Sequence, residues 1–221
     1  MITVWGRRNS VNVQKVLWAL EELDVPYTRE NVGGSFGGNH DADFLAMSPM
    51  GLVPVIRDGD VTMFESNAIV RYLAARYRAG VLRPSDHRSL AMAEQWMEWA
   101  QVNFYRPAQT LFINRVRSLP ENRDIAAAEA AEKQAAEALK VADAWIARHD
   151  WFAGQGFSFG DIVLGALMWR YMGIDCTKPH TPHLMEWFEA LQDREPFRRA
   201  VMAVPRAKDL ADWNRIEKET A

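Results

Sequence analysis

The sequence is poor in the features that mark secreted, membrane-spanning and disulfide-bonded proteins. It has one cysteine, Cys176, so no intrachain disulfide can form, and a reducing compartment such as the cytoplasm is expected. No apolar run approaches the roughly 20 residues that cross a bilayer, so we expect no membrane partner. Met1 leads directly into an apolar segment, Ile2–Trp5, without the basic and apolar regions of a secretory signal, which also favours a cytoplasmic protein.

The sequence also lacks a strong excess of one charge. Its formal net charge is -3 over 221 residues, and its lysines and arginines are scattered, so we predict no nucleic-acid partner. His180 and His183 are interrupted by two prolines and have no further ligand beside them, so we predict no metal site. The chain does have 48% hydrophobic and 25% charged residues, which is typical of a soluble globular protein with one large or two ordinary domains.

The first 78 residues predict a small α/β domain. A short buried strand, Ile2–Trp5, precedes a helix with apolar residues at helical spacing, and Tyr27–Val32 is predicted as a second strand. This order implies a parallel crossover unit. The loop Gly33–Asn39 lacks the lysine and following Ser or Thr of a phosphate-binding loop, so a mobile surface loop is expected. A short helix, Asp41–Met47, follows.

The segment Met50–Ser66 carries the clearest local pattern. Two short apolar strands, Val53–Arg57 and Val61–Phe64, flank an Asp-Gly pair, which is a strong hairpin signal. A Val-Pro pair opens the first strand, where the missing donor of proline is tolerated. Glu65 and Ser66 follow the second strand and begin an apolar helical pattern. Ser66 is therefore predicted to cap a helix whose N-terminus could hold an anion; a cap without a ligand is the alternative.

The second part of the chain has no strand pattern. Residues 79–85 contain a glycine and a proline and are predicted to link the α/β domain, residues 1–78, to an all-helical domain, residues 86–221. A long amphipathic helix over residues 86–117 is expected to bend near Pro107.

Further helices follow in this part. An alanine-rich helix covers residues 124–148, and Ser158 with Asp161 predicts a capping box at the start of the next helix. Two more helices are predicted over residues 181–192 and 196–202, before a more polar tail.

Three motifs, in this order and at this spacing, carry a resemblance to a known family. They are Gly51–Val55, Glu65–Ile69 and Ser158–Ile162. Together they resemble the cytosolic glutathione S-transferases over nearly the whole chain. The lead segment, Arg7–Val16, resembles bacterial members near the theta and beta classes, without the tyrosine of the alpha, mu and pi classes or the cysteine of the omega and beta classes. The resemblance implies a thioredoxin-like α/β N-terminal domain (βαβ-α-ββα) and an all-α C-terminal domain.

The resemblance also implies where glutathione binds. Val53, which precedes a proline expected to be cis, Pro54, would pair its backbone with the cysteinyl part, as an added strand would. Glu65 would bind the α-ammonium of the γ-glutamyl end, and Ser66 its carboxylate at the helix N-terminus.

The resemblance leaves the glycyl carboxylate of glutathione without an obvious positively charged partner. Many relatives carry a lysine or arginine just before the Val-Pro pair, where this chain has Leu52. His40, Arg7 or Arg8 would then have to supply the positive charge. Arg106, on the helix that faces the cleft in this family, is a further candidate for contact with glutathione or substrate; an ordinary surface arginine is the alternative.

Activation of the thiol is assigned to the start of the first helix. The thiolate is the nucleophile, so the site has to lower the thiol pKa. The Ser10 hydroxyl could donate to the sulfur, a bond worth roughly 1.5–3 kcal/mol, and the helix N-terminus would add partial positive charge. Asn12 could donate through its amide instead. Simple helix capping is the alternative for either residue.

The predicted function is that of a glutathione S-transferase, a cytoplasmic homodimer that uses glutathione as co-substrate and no metal in detoxification. The thiolate would attack a small hydrophobic electrophile. Four aromatic and apolar residues could line the pocket, although helical spacing alone favours a place in the core for each of them: Tyr105, Phe112, Met168 and Trp169. The alternatives are a glutathione-dependent peroxidase or reductase and a glutathione-binding protein without turnover. Cys176 lies outside the first domain and is expected to be a small buried hydrophobe rather than a nucleophile.

Overall fold

The structure is a computed structural model that describes residues 1–78 and 80–221. Ala79, the first residue of the predicted linker, lies outside the described residues. Among the helices of the described ranges, none combines the length and the apolar character that crossing a membrane requires.

The first part of the chain is the α/β unit that the sequence predicts. Its sheet has the strand order β2-β1-β3-β4, with β1 parallel to β2 and antiparallel to β3, which in turn pairs antiparallel with β4. The elements are β1 (Ile2–Trp5), α1 (Val11–Glu22), β2 (Tyr27–Glu30), a 3₁₀ turn (Gly34–Phe36), α2 (Ala42–Met47), β3 (Val55–Asp58), β4 (Val61–Phe64) and α3 (Ser66–Arg76).

The remainder of the described chain is helical. Its elements are α4 (His87–Trp99), α5 (Tyr105–Phe112), a 3₁₀ turn (Pro120–Asn122), α6 (Ile125–Ile146), α7 (Phe159–Tyr171), α8 (Pro182–Gln192), α9 (Glu195–Phe197) and α10 (Leu210–Glu219), with π-helical stretches at Ala100–Phe104, Ile113–Arg117 and Arg198–Met202. The predicted polar tail thus contains a helix, α10, whose N-cap Asp209 accepts a hydrogen bond from the Asp212 amide at 2.8 Å.

The long predicted helix is continuous but does not depart from α-helical geometry at Pro107. Pro107 lies in the first turn of α5, where its missing N–H costs little. The departures are the wide turns at Ala100–Phe104 and Ile113–Arg117, on either side of α5. Wider π-helical turns of this kind change the direction in which the following side chains point.

The predicted hairpin forms, with its turn shifted by one residue. Asp58 pairs with Val61, so the two-residue turn is Gly59-Asp60, one position later than predicted. Gly59 has a φ of 62°, which the turn requires. The strand begins at Val55 rather than Val53, because Pro54 has no N–H for the ladder; the Val53–Pro54 peptide bond is cis.

Helix α1 lies between the sheet and the helical part and is buried along most of its length. Its Trp18 donates to Glu22 at 2.9 Å, and Arg194 of the helical part reaches the same carboxylate with two bonds of 2.8 and 2.6 Å. The two parts of the chain are therefore joined by a bidentate ion pair as well as by apolar contact. The loop before α1 lies at the boundary between them.

Candidate functional site

A cleft at this boundary consists of two adjoining cavities. The larger has a volume of about 230 Å³ and the smaller about 50 Å³. Both are lined by Asn12, Leu52 and Val53, so the two cavities meet at the start of α1 and the residue before Pro54. An extended ligand lying across this junction would reach both ends of the cleft.

The smaller cavity lies at the N-terminus of α3. Glu65 and Ser66 line it, and Ser66 is 7% exposed. Glu65, rather than the predicted Ser66, occupies the N-cap position, and Ser66 is the first helical residue. Glu65 has a φ of 71°, a left-handed conformation that costs a residue with a side chain on the order of 1–3 kcal/mol. Strain of this kind concentrates at ligand sites, and here it brings a carboxylate to the same cavity as a helix N-terminus.

Ser10 and Asn12 lie at the centre of the cleft. Ser10 is the N-cap residue of α1, but its hydroxyl makes no capping hydrogen bond within the described residues. Asn12 Oδ1 is buried and has no hydrogen-bond partner in the described ranges. Neither side chain is thus committed to capping the helix, and both can bind a ligand atom: Ser10 in the larger cavity and Asn12 where the two cavities meet.

Lys15, one turn further along α1, is fully buried behind this junction. Its Nζ lies 3.1 Å from Gln101 Oε1 and 3.3 Å from Asn67 Oδ1. The pKa of Lys15 is lowered to about 7, mainly by burial and also by the charge of Arg170, against an opposing effect from Glu65. The sequence does not reveal this burial, because the helical part that covers Lys15 is distant in the chain.

The larger cavity has an ion pair at its edge. Arg7 Nε lies 2.9 Å from Glu217 Oε1, and Glu217 Oε2 accepts the Ser35 backbone N–H at 3.0 Å. Burial tends to raise the pKa of Glu217, but the Ser35 hydrogen bond and the Arg7 charge outweigh it and leave that pKa below its usual value. The loop expected to be a mobile surface loop, Gly33–Asn39, is therefore held against α10 through Glu217.

Two arginines of the helical part line the same cavity. Arg170 donates to the Asn9 carbonyl oxygen at 2.7 Å, and its guanidinium lies 4.5 Å from the centre of the Phe112 ring. Arg117 lies 5.3 Å from the centre of the Trp213 ring. Neither residue, nor Glu217, could be assigned to the site from the sequence, because the pattern of a helix does not fix which of its polar residues point into a cleft.

The other predicted glutathione contacts are placed differently. Of the described residues, Asn39 lines the larger cavity, while the neighbouring His40 is exposed beside Gly51. Arg8 turns toward the helical part and donates to the Arg199 carbonyl oxygen at 2.7 Å. Arg106 is not brought to the cleft: it lines a separate groove between α5 and α6.

The predicted pocket residues divide in the same way. Tyr105 lines the larger cavity, whereas Phe112 and Trp169 line a small neighbouring cavity and Met168 is buried in the core. Cys176 is partly rather than fully buried, with Lys178 Nζ 2.9 Å from its sulfur. Within residues 1–78 and 80–221, no cluster of three or more His, Cys, Asp or Glu is arranged to hold a metal ion.

Comparison with known proteins gives consistent results for both parts of the chain. The family described as "Glutathione S-transferase, N-terminal domain" matches residues 5–81, and that described as "Glutathione S-transferase, C-terminal domain" matches residues 87–195. The chain is 43% identical to Glutathione S-transferase GstB of Escherichia coli (strain K12), over 91% of this chain and 98% of the relative. It is 32% identical to Glutathione S-transferase 3 of Zea mays, over 92% of this chain and 95% of the relative.

A similar solved structure is the theta class glutathione S-transferase of Xanthomonas axonopodis pv. citri, with glutathione bound. It superposes with a TM-score of 0.88 at 42% identity and covers 91% of this chain and 97% of that one. The fold class and the family that the sequence motifs predict are both confirmed.

Proposed function

The chain belongs to the glutathione S-transferase family, and on that premise we propose that its cleft binds glutathione and transfers it to a small electrophile. The observation that carries the proposal is the pair of cavities meeting at Asn12 and Val53. The smaller has an anion-binding helix N-terminus with a carboxylate beside it, and the larger is lined by arginines. A tripeptide with an amino acid group at one end and a carboxylate at the other matches this arrangement.

In this proposal glutathione extends across the junction. Glu65 binds the α-ammonium and Ser66 the α-carboxylate of the γ-glutamyl group, and the backbone of Val53 pairs with the cysteinyl part. Arg7 binds the glycyl carboxylate, with His40 at the outer rim. Pro54 fixes the chain direction after Val53 and supplies no side-chain donor. The bound-glutathione neighbour from Xanthomonas axonopodis pv. citri supports a glutathione site of this general kind.

The sulfur would lie near the start of α1, where Ser10 donates to the thiolate and Asn12 is the competing donor. The hydroxyl left free of capping supports Ser10, and Asn12, which lines both cavities, remains the rival through its amide NH2 group. The thiolate then attacks the electrophile against Tyr105 and Trp213, which line the same cavity. Arg106 has no part in this scheme.

For this function, residues 1–78 form the glutathione-binding domain, residues 79–85 the linker and residues 86–221 the helical substrate domain. By analogy with the family, the protein is a cytoplasmic homodimer with a role in detoxification. No metal is needed for the chemistry described.

Two measurements test this function in sequence. The protein should be retained on immobilised glutathione and eluted by free glutathione, with a column carrying the same linker without the peptide as control. The eluted protein should then accelerate the conjugation of glutathione with chlorodinitrobenzene above the uncatalysed rate. Failure to bind would contradict the proposal, and binding without conjugation would support the binding-protein alternative.

A further inference from the structure

The larger cavity is lined by more positively charged side chains than the single glycyl carboxylate of glutathione would need. Three arginines line it, Arg7, Arg117 and Arg170, and within the described chain no acidic side chain is part of its lining. The three guanidinium groups are close enough to influence one another. Burial, together with the charges of Arg7 and Arg117, lowers the pKa of Arg170 to about 9, so Arg170 remains a cation at neutral pH.

Only one of the three has a carboxylate partner among residues 1–78 and 80–221. Arg7 pairs with Glu217, whereas Arg170 is held by the Asn9 carbonyl oxygen. Its guanidinium and that of Arg117 lie 5.5 and 5.3 Å from the centre of the Trp213 ring. Contacts with ring faces hold a guanidinium in place without using its N–H donors. Arg117 and Arg170 thus keep donors available to a ligand.

The position of these two arginines separates them from the proposed glutathione site. This step rests on the proposed function, in which the glycyl carboxylate is bound by Arg7 of the α/β part. Arg117 and Arg170 come from the helical part, as does Trp213, and this is the side on which the electrophile would lie. A purely apolar electrophile would leave the half-buried Arg170 without an anion, which is unfavourable, and the exposed Arg117 adds a second positive charge on the same side of the cavity.

We propose that Arg117 and Arg170 bind a carboxylate carried by the electrophile, so that the preferred substrates of this transferase are small acidic electrophiles with an apolar reacting portion. The cavity volume of about 230 Å³ favours a small molecule. The paired N–H donors of each guanidinium match the two oxygens of a carboxylate. Arg117 and Arg170 are thus residues that determine specificity, and the carboxylate itself takes no part in the bond changes.

For an aryl chloride the reaction is a substitution. The thiol proton passes to solvent as the thiolate forms, the sulfur forms a bond to the ring carbon, and the carbon–chlorine bond breaks with its electron pair leaving as chloride. The substrate carboxylate remains charged throughout. Its binding therefore contributes through orientation and local concentration of the substrate, and it should appear in kcat/KM for the acid and not for a neutral analogue.

The test compares two probes that differ only in this charge: a chlorodinitrobenzoate with the carboxylate para to the chlorine, and the corresponding carboxamide. The values of kcat/KM, corrected for the uncatalysed rates, are measured for the wild type, Arg117→Gln, Arg117→Lys and Arg148→Gln. Arg148 is an exposed arginine of the helical part that is not among the residues lining either cavity of the described cleft, so it controls for the loss of one positive charge.

We expect the wild type to prefer the acid, and Arg117→Gln to lower the acid-to-amide ratio about tenfold, the loss of one charge-assisted hydrogen bond. Arg117→Lys should retain most of the preference, and Arg148→Gln all of it. A ratio that is unchanged in Arg117→Gln would overturn the inference while leaving the transferase function intact. An equal loss of kcat/KM with both probes would also overturn it, because it would indicate that Arg117 acts on the thiolate. So would a change confined to a higher KM for glutathione, because Arg117 would then bind glutathione and not the electrophile. Absence of turnover with both probes in the wild type would contradict the proposed function itself.

Discussion

Among single residues, Lys15 carries a charge that the fold disfavours. It is fully buried on α1, with two amide oxygens and the Tyr105 ring as its neighbours. Amide oxygens satisfy its N–H donors but do not neutralise the ammonium, so burial dominates its pKa. The consequence is a proton that the unfolded chain holds more tightly than the folded chain.

The stability of the protein should therefore depend on pH through Lys15. Its pKa is about 7 in the folded chain and 10.5 when unperturbed, so between these values the unfolded chain binds a proton that the folded chain lacks. The free energy of unfolding should then rise with pH across this window, by at most about 1.4 kcal/mol per pH unit. Urea unfolding at several pH values, compared with Lys15→Met, isolates this contribution. If the free energy of unfolding changed with pH by the same amount in the wild type and in Lys15→Met, Lys15 would not titrate in this way.

Among the elements, α7 begins with the polar network that the sequence predicted only in part. Asp161 accepts bonds from the Ser158 and Phe152 backbone N–H groups at 3.0 and 3.1 Å, which completes the capping box and ties in a preceding loop. It also accepts from Trp187 Nε1 at 3.0 Å. The motif predicts the first bond because it is local; the bonds to Phe152 and Trp187 depend on packing.

This network makes Asp161 more important for stability than an ordinary cap. Asp161→Ala would leave three buried N–H groups unpaired and should cost roughly 3–5 kcal/mol in the free energy of unfolding. Asp124→Ala is the matched control, because Asp124 caps α6 with one exposed bond of 2.9 Å to Ala127. The control should cost only about 1 kcal/mol. Equal losses in chemical denaturation would mean that the buried bonds add nothing to the cap.

Some of these structural features can be predicted from the sequence and others cannot. The hairpin, the capping box and helix α1 depend on residues close together in the chain, and all three are found. Helix α10 was overlooked because its polar composition hides its few buried residues, such as Trp213 and Ile216. The half of the cleft built from Arg117 and Arg170 was missed for another reason: wide helical turns and long-range packing decide which side chains face it.

At the scale of the whole molecule, α10 fastens the far end of the chain to the α/β part. Glu217 pairs with Arg7 and accepts the Ser35 amide, so it joins two loops that border the cleft. Its contacts are tertiary and span most of the sequence. The Gly33–Asn39 loop is therefore expected to be ordered only while α10 is docked.

Removing the charge of Glu217 should loosen this end of the cleft. In Glu217→Gln the Ser35 amide keeps only a weaker neutral acceptor and Arg7 loses its counter-charge, a change of about 1–2 kcal/mol in local opening. Hydrogen exchange of the peptide covering residues 33–39 should then accelerate about 5- to 30-fold. Glu219→Gln, on the exposed side of α10, should leave the exchange unchanged. Slow exchange in both variants would contradict the docking role of Glu217.

In the proposed function, the start of α1 converts bound glutathione to its thiolate. Ultraviolet absorbance of the thiolate, followed against pH with the protein saturated with glutathione, measures the pKa of the bound thiol directly. We predict a pKa of the bound thiol about one to two units below that of free glutathione. In Ser10→Ala this pKa should return toward the free value while binding of glutathione is largely kept. A bound thiol with the pKa of free glutathione would contradict the claim. A pKa unaffected by Ser10→Ala but raised by Asn12→Ala would transfer the role to Asn12.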